Sequence, residues 1–192
     1  MYICSQLRTL EHKLENLIMQ SGNLTIAPIF NDDCQHVIDL ILPIQQIEFN
    51  VPVTIDDQPD LHDIETNYHK LGGNFWGAKI DGTLVGTIAL INTGNNAGAL
   101  RKMFVKREFR GKQYGIAHAL LETTITFCRE SNIADVYLGT VDILKAAHRF
   151  YEKNGFNHIG ASDLPAYFPR MAADNRFYHL HLSIEEKHEK CN

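Results

Sequence analysis

Apolar residues follow two periods along this chain, and the switches between them mark its elements. Over the first twenty residues Ile3, Leu7, Leu10, Leu14 and Leu17 recur at spacings of four and three, the stripe of one helix face. Ser21-Gly22-Asn23 stops the pattern. Residues 1–22 therefore read as an amphipathic helix that either docks on its own domain or makes a coiled-coil-like dimer contact. Leu24 to Phe30 alternates as a strand, and Asn31-Asp32-Asp33 offers N-caps to an apolar helical stretch through Val37, Ile38, Ile41 and Leu42. Residues 50–65 carry Pro52, Pro59, Asp56, Asp57, Asp60, Asp63 and Glu65, a polar surface loop running into a short helix.

From Phe75 to Leu90 two β-prone runs flank Asp81-Gly82, a dipeptide that tolerates the positive φ of a tight hairpin turn. A second turn at Asn92 to Asn96 leads to another strand, Ala99 to Val105, which completes a three-stranded antiparallel meander. The period then returns to that of a helix from about Gln113 to Glu130, with Ile116, Ala119, Leu120, Thr123, Phe127 and Cys128 on the inner side. Ala134 to Thr140 reads as a strand, and Asp142 is placed to cap the next helix, which Asn154-Gly155 ends as a left-handed C-cap. Phe177 to Ile184 is a last strand, and Glu185 to Asn192 forms a polar tail. The pattern predicts one α/β domain over residues 23–184, with six to seven strands and flanking helices.

Composition narrows the function. A 192-residue chain with 44% hydrophobic and 21% charged residues can bury a core without disulfides or metal. Cys4, Cys34, Cys128 and Cys191 are scattered singly, which fits a reducing cytoplasm. Arg8, Glu11, Lys13 and Glu15 interrupt any apolar stretch that a signal peptide would need, and no uncharged apolar run reaches membrane length. A net charge of -5 argues against a basic face for nucleic acid.

The chemistry concentrates after the third strand of the meander. Arg110-Gly111-Lys112-Gln113-Tyr114-Gly115 lies at a strand-to-helix junction, where backbone N–H groups without intrahelical partners and the helix dipole favour phosphate. Gly111 and Gly115 let the main chain approach a bulky anion, and Arg110 and Lys112 add charge at the rim. The chain has neither the Gly-x-x-x-x-Gly-Lys-Ser/Thr of nucleotide hydrolysis nor a Gly-x-Gly-x-x-Gly after a strand. About thirty residues on stands Ala147-His148-Arg149-Phe150-Tyr151-Glu152-Lys153-Asn154-Gly155-Phe156.

These two segments, in this order, resemble the GNAT family of acetyl-CoA-dependent N-acetyltransferases. Its pyrophosphate loop reads Arg/Gln-x-x-Gly-x-Gly/Ala, and its later helix reads Ala-x-x-Leu/Phe-Tyr-Glu-Lys-x-Gly-Phe. Gln113 stands where the family usually has its first glycine, and Leu144 where it often has an asparagine seven positions before the tyrosine. The resemblance covers residues 24–184 and implies a GNAT-like fold, its central sheet mixed but mostly antiparallel and flanked by helices, with acetyl-CoA as co-substrate, an amine acceptor and no metal. It implies a strand end at Met103-Phe104-Val105 that splays from its neighbour and pairs with the pantetheine arm. Met103, Phe104, Val105, Arg110, Gly111, Lys112, Gln113, Tyr114, Gly115, Ile116, Ala117 and Tyr151 are the cofactor-binding residues it points to, with Tyr151 also the general acid that protonates the leaving thiolate. A main-chain N–H near Phe104 or Val105 is the expected oxyanion donor.

Glu48, just after the first apolar helix, is the candidate general base; the alternatives are a solvated helix-end carboxylate and a water relay. The acids between Asp56 and Glu65 either favour a cationic amine such as an amino acid, polyamine or peptide N-terminus, or are solvated surface. His179 and His181 share one face of the last strand but lack a third metal ligand. Phe168-Pro169-Arg170-Met171 either builds an acceptor pocket or packs a loop. An acyl-CoA-binding sensor without turnover is the alternative function.

Overall fold

The computed structural model describes residues 23–184, so the expected N-terminal helix and polar tail lie outside the described residues. Seven strands form one sheet: β1 (Leu24–Pro28), β2 (Asn74–Ile80), β3 (Thr83–Gly94), β4 (Ala97–Val105), β5 (Asp135–Thr140), β6 (Asn157–Ile159) and β7 (Arg176–His181). Their order is β1-β2-β3-β4-β5-β7-β6, antiparallel except for β4 beside β5. The meander forms as the turn chemistry requires. Asp81 and Gly82 take φ of 48° and 81°, and Asn95 and Asn96 take 53° and 55°, left-handed values that asparagine, aspartate and glycine adopt at least cost.

Alternation along the strands separates two cores. Trp76, Val85, Ile88 and Leu90 face one side, where α3 (Ile116–Glu130) lays down Leu120, Leu121, Ile125 and Cys128. Phe75, Leu84 and Ala89 face the other side, against α1 (Cys34–Pro43) and the short α2 (Ile64–Asn67) through Val37, Ile41, Leu61 and Ile64. Each fully buried leucine or isoleucine contributes about 1.5–3 kcal/mol. The helix α4 (Lys145–Lys153) closes the β5–β7 half, and Gly155 at φ 87° ends it as expected. No described helix is long and apolar enough to cross a membrane.

Four local expectations change. Asn31–Asp33 forms a 3-10 turn, and Asp33 makes no capping bond because its carboxylate pairs with Lys79 (2.9 Å) and His36 (3.1 Å). α3 begins at Ile116 rather than Gln113, since Gly111 (φ 113°) and Gly115 (φ 65°) hold the preceding residues in a left-handed turn that a helix cannot include. Asp142 does not cap α4; it bridges Lys145 and Arg176, each at 2.8 Å. The last strand ends at His181 rather than Ile184.

Candidate active site

The site originates in a bulge. Ala89 pairs with Arg101 and Thr87 with Phe104, so Lys102 and Met103 both stand opposite Ile88. Lys102 takes φ 52°, a left-handed value for a non-glycine residue that costs about 1–3 kcal/mol and needs support. The support is local: the Thr87 hydroxyl donates to the Lys102 carbonyl (2.7 Å), and the Lys102 ammonium meets Gln58 Oε1 (2.7 Å) and Asp60 (3.2 Å). Tyr68 donates a further hydrogen bond to Asp60. Burial pulls the Lys102 ammonium below the usual lysine range, and Asp60 opposes that shift.

The bulge turns the rest of β4 away from β5. The two strands pair only from Ala97 to Leu100 with Asp135 to Leu138. Beyond Leu100 they part, as the sequence led us to expect, and two hollows open along the gap.

The larger hollow, about 410 Å³, is lined by Met103, Phe104 and Val105 on one side and by Leu144, Phe150 and Tyr151 on the other. Arg110, Gly111 and Ala117 also reach it. Gln113, the departure from the family loop, needs no positive φ. Its side chain folds back over Gly111 and donates to the Arg110 carbonyl (3.2 Å). Glycine is favoured at 111 by its φ of 113°, a conformation that strains any other side chain. No side chain caps the first turn of α3, which leaves its N–H groups turned toward this loop. Lys112 is exposed, and Tyr114 packs edge-on to Phe109 with ring centroids 5.8 Å apart. The Ile116 side chain is buried in the core under Gly86, which leaves only its main chain for the expected cofactor role.

Tyr151 is 6% exposed and packs among Phe150, Phe156 and Tyr178. Its hydroxyl has no hydrogen-bond partner among the described residues, where no buried polar side-chain atom is left unpaired, so the hydroxyl opens on the hollow. Burial raises its pKa above the tyrosine range, and the Asp174 and Tyr178 charges add to the rise, so the phenol stays protonated.

Glu48, the expected base, is held in an ion pair with Arg110. Pro43, which has no N–H, ends the regular part of α1, and the chain continues as one π-type turn, Ile44–Glu48. That turn presents both Glu48 oxygens to the Arg110 guanidinium, one at 2.9 Å. Arg110 also donates to the Val105 carbonyl (2.7 Å) and covers the Phe49 ring. Glu48 lines neither hollow; through Arg110 it ties the loop to the turn that follows α1.

The smaller hollow, about 150 Å³, shares Phe49, Phe104 and Leu144 with the larger one, so the two are neighbours along the strand gap. Arg101, Lys102, Gln58 and Asp174 give it polar walls, and Phe168 and Met171 give it an apolar lid. In the Phe168–Met171 stretch, Phe168 and Met171 line this hollow, while Arg170 lies 4.9 Å over Phe177 and the Pro169 carbonyl accepts from Arg101. The acidic run is largely spent on local structure. Asp57 accepts from Thr54, Asp60 pairs with Lys102, Asp63 caps Thr66, and Glu65 accepts from the Asn31 N–H. His179 and His181 both bond one oxygen of Asp135 (2.7 and 2.9 Å). Burial alone would raise the Asp135 carboxyl, but these two bonds hold it below its ordinary range. No group of three or more His, Cys, Asp or Glu side chains is arranged to hold a metal among the described residues.

Sequence reasoning missed Arg101, Lys102 and Asp174. The first two read as ordinary strand residues, and Asp174 stands in an irregular stretch without periodicity.

Comparison with known proteins agrees with this architecture. The family described as "Acetyltransferase (GNAT) family" matches residues 38–156. N-acetylaspartate synthetase of Rattus norvegicus is 43% identical over 137 residues, covering 67% of this chain and 45% of that protein. Probable N-acetyltransferase family 8 member 5 of Mus musculus is 34% identical over 108 residues, covering 54% and 47%. The chain spans about half the length of these relatives. A GNAT-family acetyltransferase structure from Staphylococcus aureus Mu50 superposes with a TM-score of 0.81 at 43% identity, over 84% of this chain and 100% of that one. The Thermoplasma acidophilum PaiA N-acetyltransferase in complex with coenzyme A, 19% identical with a TM-score of 0.64 over 83% and 99%, shares the fold. Carrying both signature segments inside the matched stretch, the chain belongs to the GNAT family of acetyltransferases.

Proposed function

We propose that residues 23–184 form an acetyl-CoA-dependent N-acetyltransferase domain whose acceptor is a small amine that also carries a carboxylate. The observation that carries this reading is one strand gap with an anion-binding loop at one end, a small pocket walled by both acidic and basic side chains at the other, and Phe104 shared between them. The larger hollow suits acetyl-CoA. The N–H groups around Gly111 to Ala117, with Lys112 at the rim, hold the pyrophosphate, and the unpaired β4 edge at Met103 to Val105 pairs with the pantetheine amides. The acetyl-CoA thioester supplies the activated acyl group. A main-chain N–H at Phe104 or Val105 then stabilises the oxyanion, a contribution on the order of 3 kcal/mol for a single donor. Tyr151, kept protonated by its burial, gives a proton to the departing sulfur.

Arg101 in the small pocket supports a carboxylate-bearing acceptor, whereas Lys102 is already paired with Asp60, and the name of the relatives that are N-acetylaspartate synthetases supports the same acceptor. The acidic run supports a cationic acceptor less, because most of its carboxylates are already paired. A reducing, cytoplasmic setting belongs to the same reading and rests on the singly scattered cysteines. The test is a thermal shift with acetyl-CoA followed by thiol release with amino acids, polyamines and peptides. Stabilisation with thiol release that depends on an acidic amino acid is the expected result. Stabilisation without turnover on any amine leaves a binding module, and absence of stabilisation removes the cofactor site.

A further inference from the structure

Two carboxyl groups line the small pocket, and they differ in how they are held. Asp57 accepts from both the Thr54 N–H (2.8 Å) and the Thr54 hydroxyl (2.9 Å), which hold it below the usual carboxylate range. Asp174 is half-buried and receives one long bond, from the Met171 N–H at 3.4 Å. Its Oδ2 lies against the bare Cα of Gly139 on β5, where any Cβ would stand 2.2 Å away. Gly139 belongs to the part of β5 that has already left β4, so the carboxyl lines the small pocket where the two strands part.

We propose that Asp174 is the general base of the transfer, receiving a proton from the acceptor's ammonium in the small pocket, with Gly139 as the opening that admits its carboxyl. This rests on the transferase reading above. The charge arrangement agrees. Burial raises the Asp174 pKa, and Arg101 on β4 and Arg170 in its own loop oppose the rise without cancelling it. Lys102 and Asp57 line the same pocket, and the charge of Asp174 in turn helps to keep Tyr151 protonated. Base and acid thus line the two neighbouring hollows, Asp174 the smaller and Tyr151 the larger, their pKa values separated by environment.

The protons balance. The ammonium gives one to Asp174, which returns it to solvent. The amine nitrogen then bonds to the thioester carbon, and the C–S bond breaks. Tyr151 protonates the sulfur, and the second proton shed by nitrogen restores the phenol through solvent. The products are the acetamide, coenzyme A thiol and one proton.

The test compares wild type, Asp174→Asn and Gly139→Ala, using acetyl-CoA thermal shift and thiol release with L-aspartate and other amino acids from about pH 6 to 10. Asp174→Asn should keep its acetyl-CoA stabilisation and lose about 10² to 10⁴ in kcat near neutrality. The loss should shrink as pH approaches the acceptor's own pKa, where free amine forms without a base. Gly139→Ala keeps the carboxyl but displaces it, and should show a smaller kcat loss with the acetyl-CoA shift intact. A merely structural Asp174 would move stability and leave the pH profile as in wild type. Turnover within about threefold of wild type, with an unchanged pH profile, in Asp174→Asn overturns the base and leaves the transferase standing. Stabilisation of the wild type without turnover on any amino acid overturns both.

Discussion

Removing one oxygen tests the acid half of the proposed chemistry. Tyr151→Phe deletes a hydroxyl that reaches the larger hollow and has no described partner, while the ring keeps its packing against Phe150, Phe156 and Tyr178. Stability should therefore change by no more than about 0.5 kcal/mol. The rate should not be spared. Without a proton donor the thiolate leaves unaided, and kcat should fall about a hundredfold to a thousandfold, or roughly 2.7–4 kcal/mol of transition-state stabilisation. KM for acetyl-CoA should stay near wild type, because the hydroxyl acts on the departing sulfur and not on the pyrophosphate. Burial holds the phenol protonated, so the wild-type to mutant ratio should be flat from about pH 6 to 9. The assay is thiol release at saturating acetyl-CoA, with thermal unfolding as the control. A Tyr151→Phe enzyme with wild-type kcat and an intact unfolding transition would refute the assignment.

Three further outcomes follow from particular contacts. Glu48→Gln should lower stability by about 1 kcal/mol or less, since the Arg110 pair is a quarter to a third exposed, and should leave the pH profile of kcat unaltered; a lost acid limb would restore Glu48 as the base. Gly115→Ala meets no atom within 4 Å, so its cost is the left-handed backbone alone, about 1–2 kcal/mol, with a smaller acetyl-CoA thermal shift as the loop relaxes. Asp142, held at about 2 by Lys145 and then Arg176, has a folded pKa below its unfolded value. Its stabilisation is therefore present above about pH 4 and lost as pH falls toward 2, and Asp142→Asn should flatten acid unfolding in that window.

What the sequence reveals and what it hides divide along physical lines. Asp81-Gly82, the meander and the Gly155 cap are legible because turn chemistry is local and few residues take positive φ cheaply. The same rule hides the bulge, because Lys102 takes that conformation without being glycine and holds it only through Thr87, Gln58 and Asp60, the last 42 positions away in sequence. The motif segments locate the larger hollow, yet the mispredicted start of α3 shows the limit of periodicity beside two left-handed glycines. Glu48 illustrates a different limit. Proximity to the site is readable, but which charge a carboxylate meets depends on a π-type turn 62 residues away from Arg110. Asp174 leaves no sequence signal because its identity comes from the missing side chain of Gly139.

The brief pairing of β4 with β5, only four residues long, makes the sheet two plates joined by a short seam. β1 to β4 form one plate and β5, β7 and β6 the other, and each carries one wall of the groove. A ligand that contacts both walls closes the mouth of that seam and acts as a fastener. Amides of β5 and β7 should then exchange with deuterium more slowly when acetyl-CoA is bound, while those in the middle of β2 and β3, enclosed by neighbouring strands on both sides, should change little.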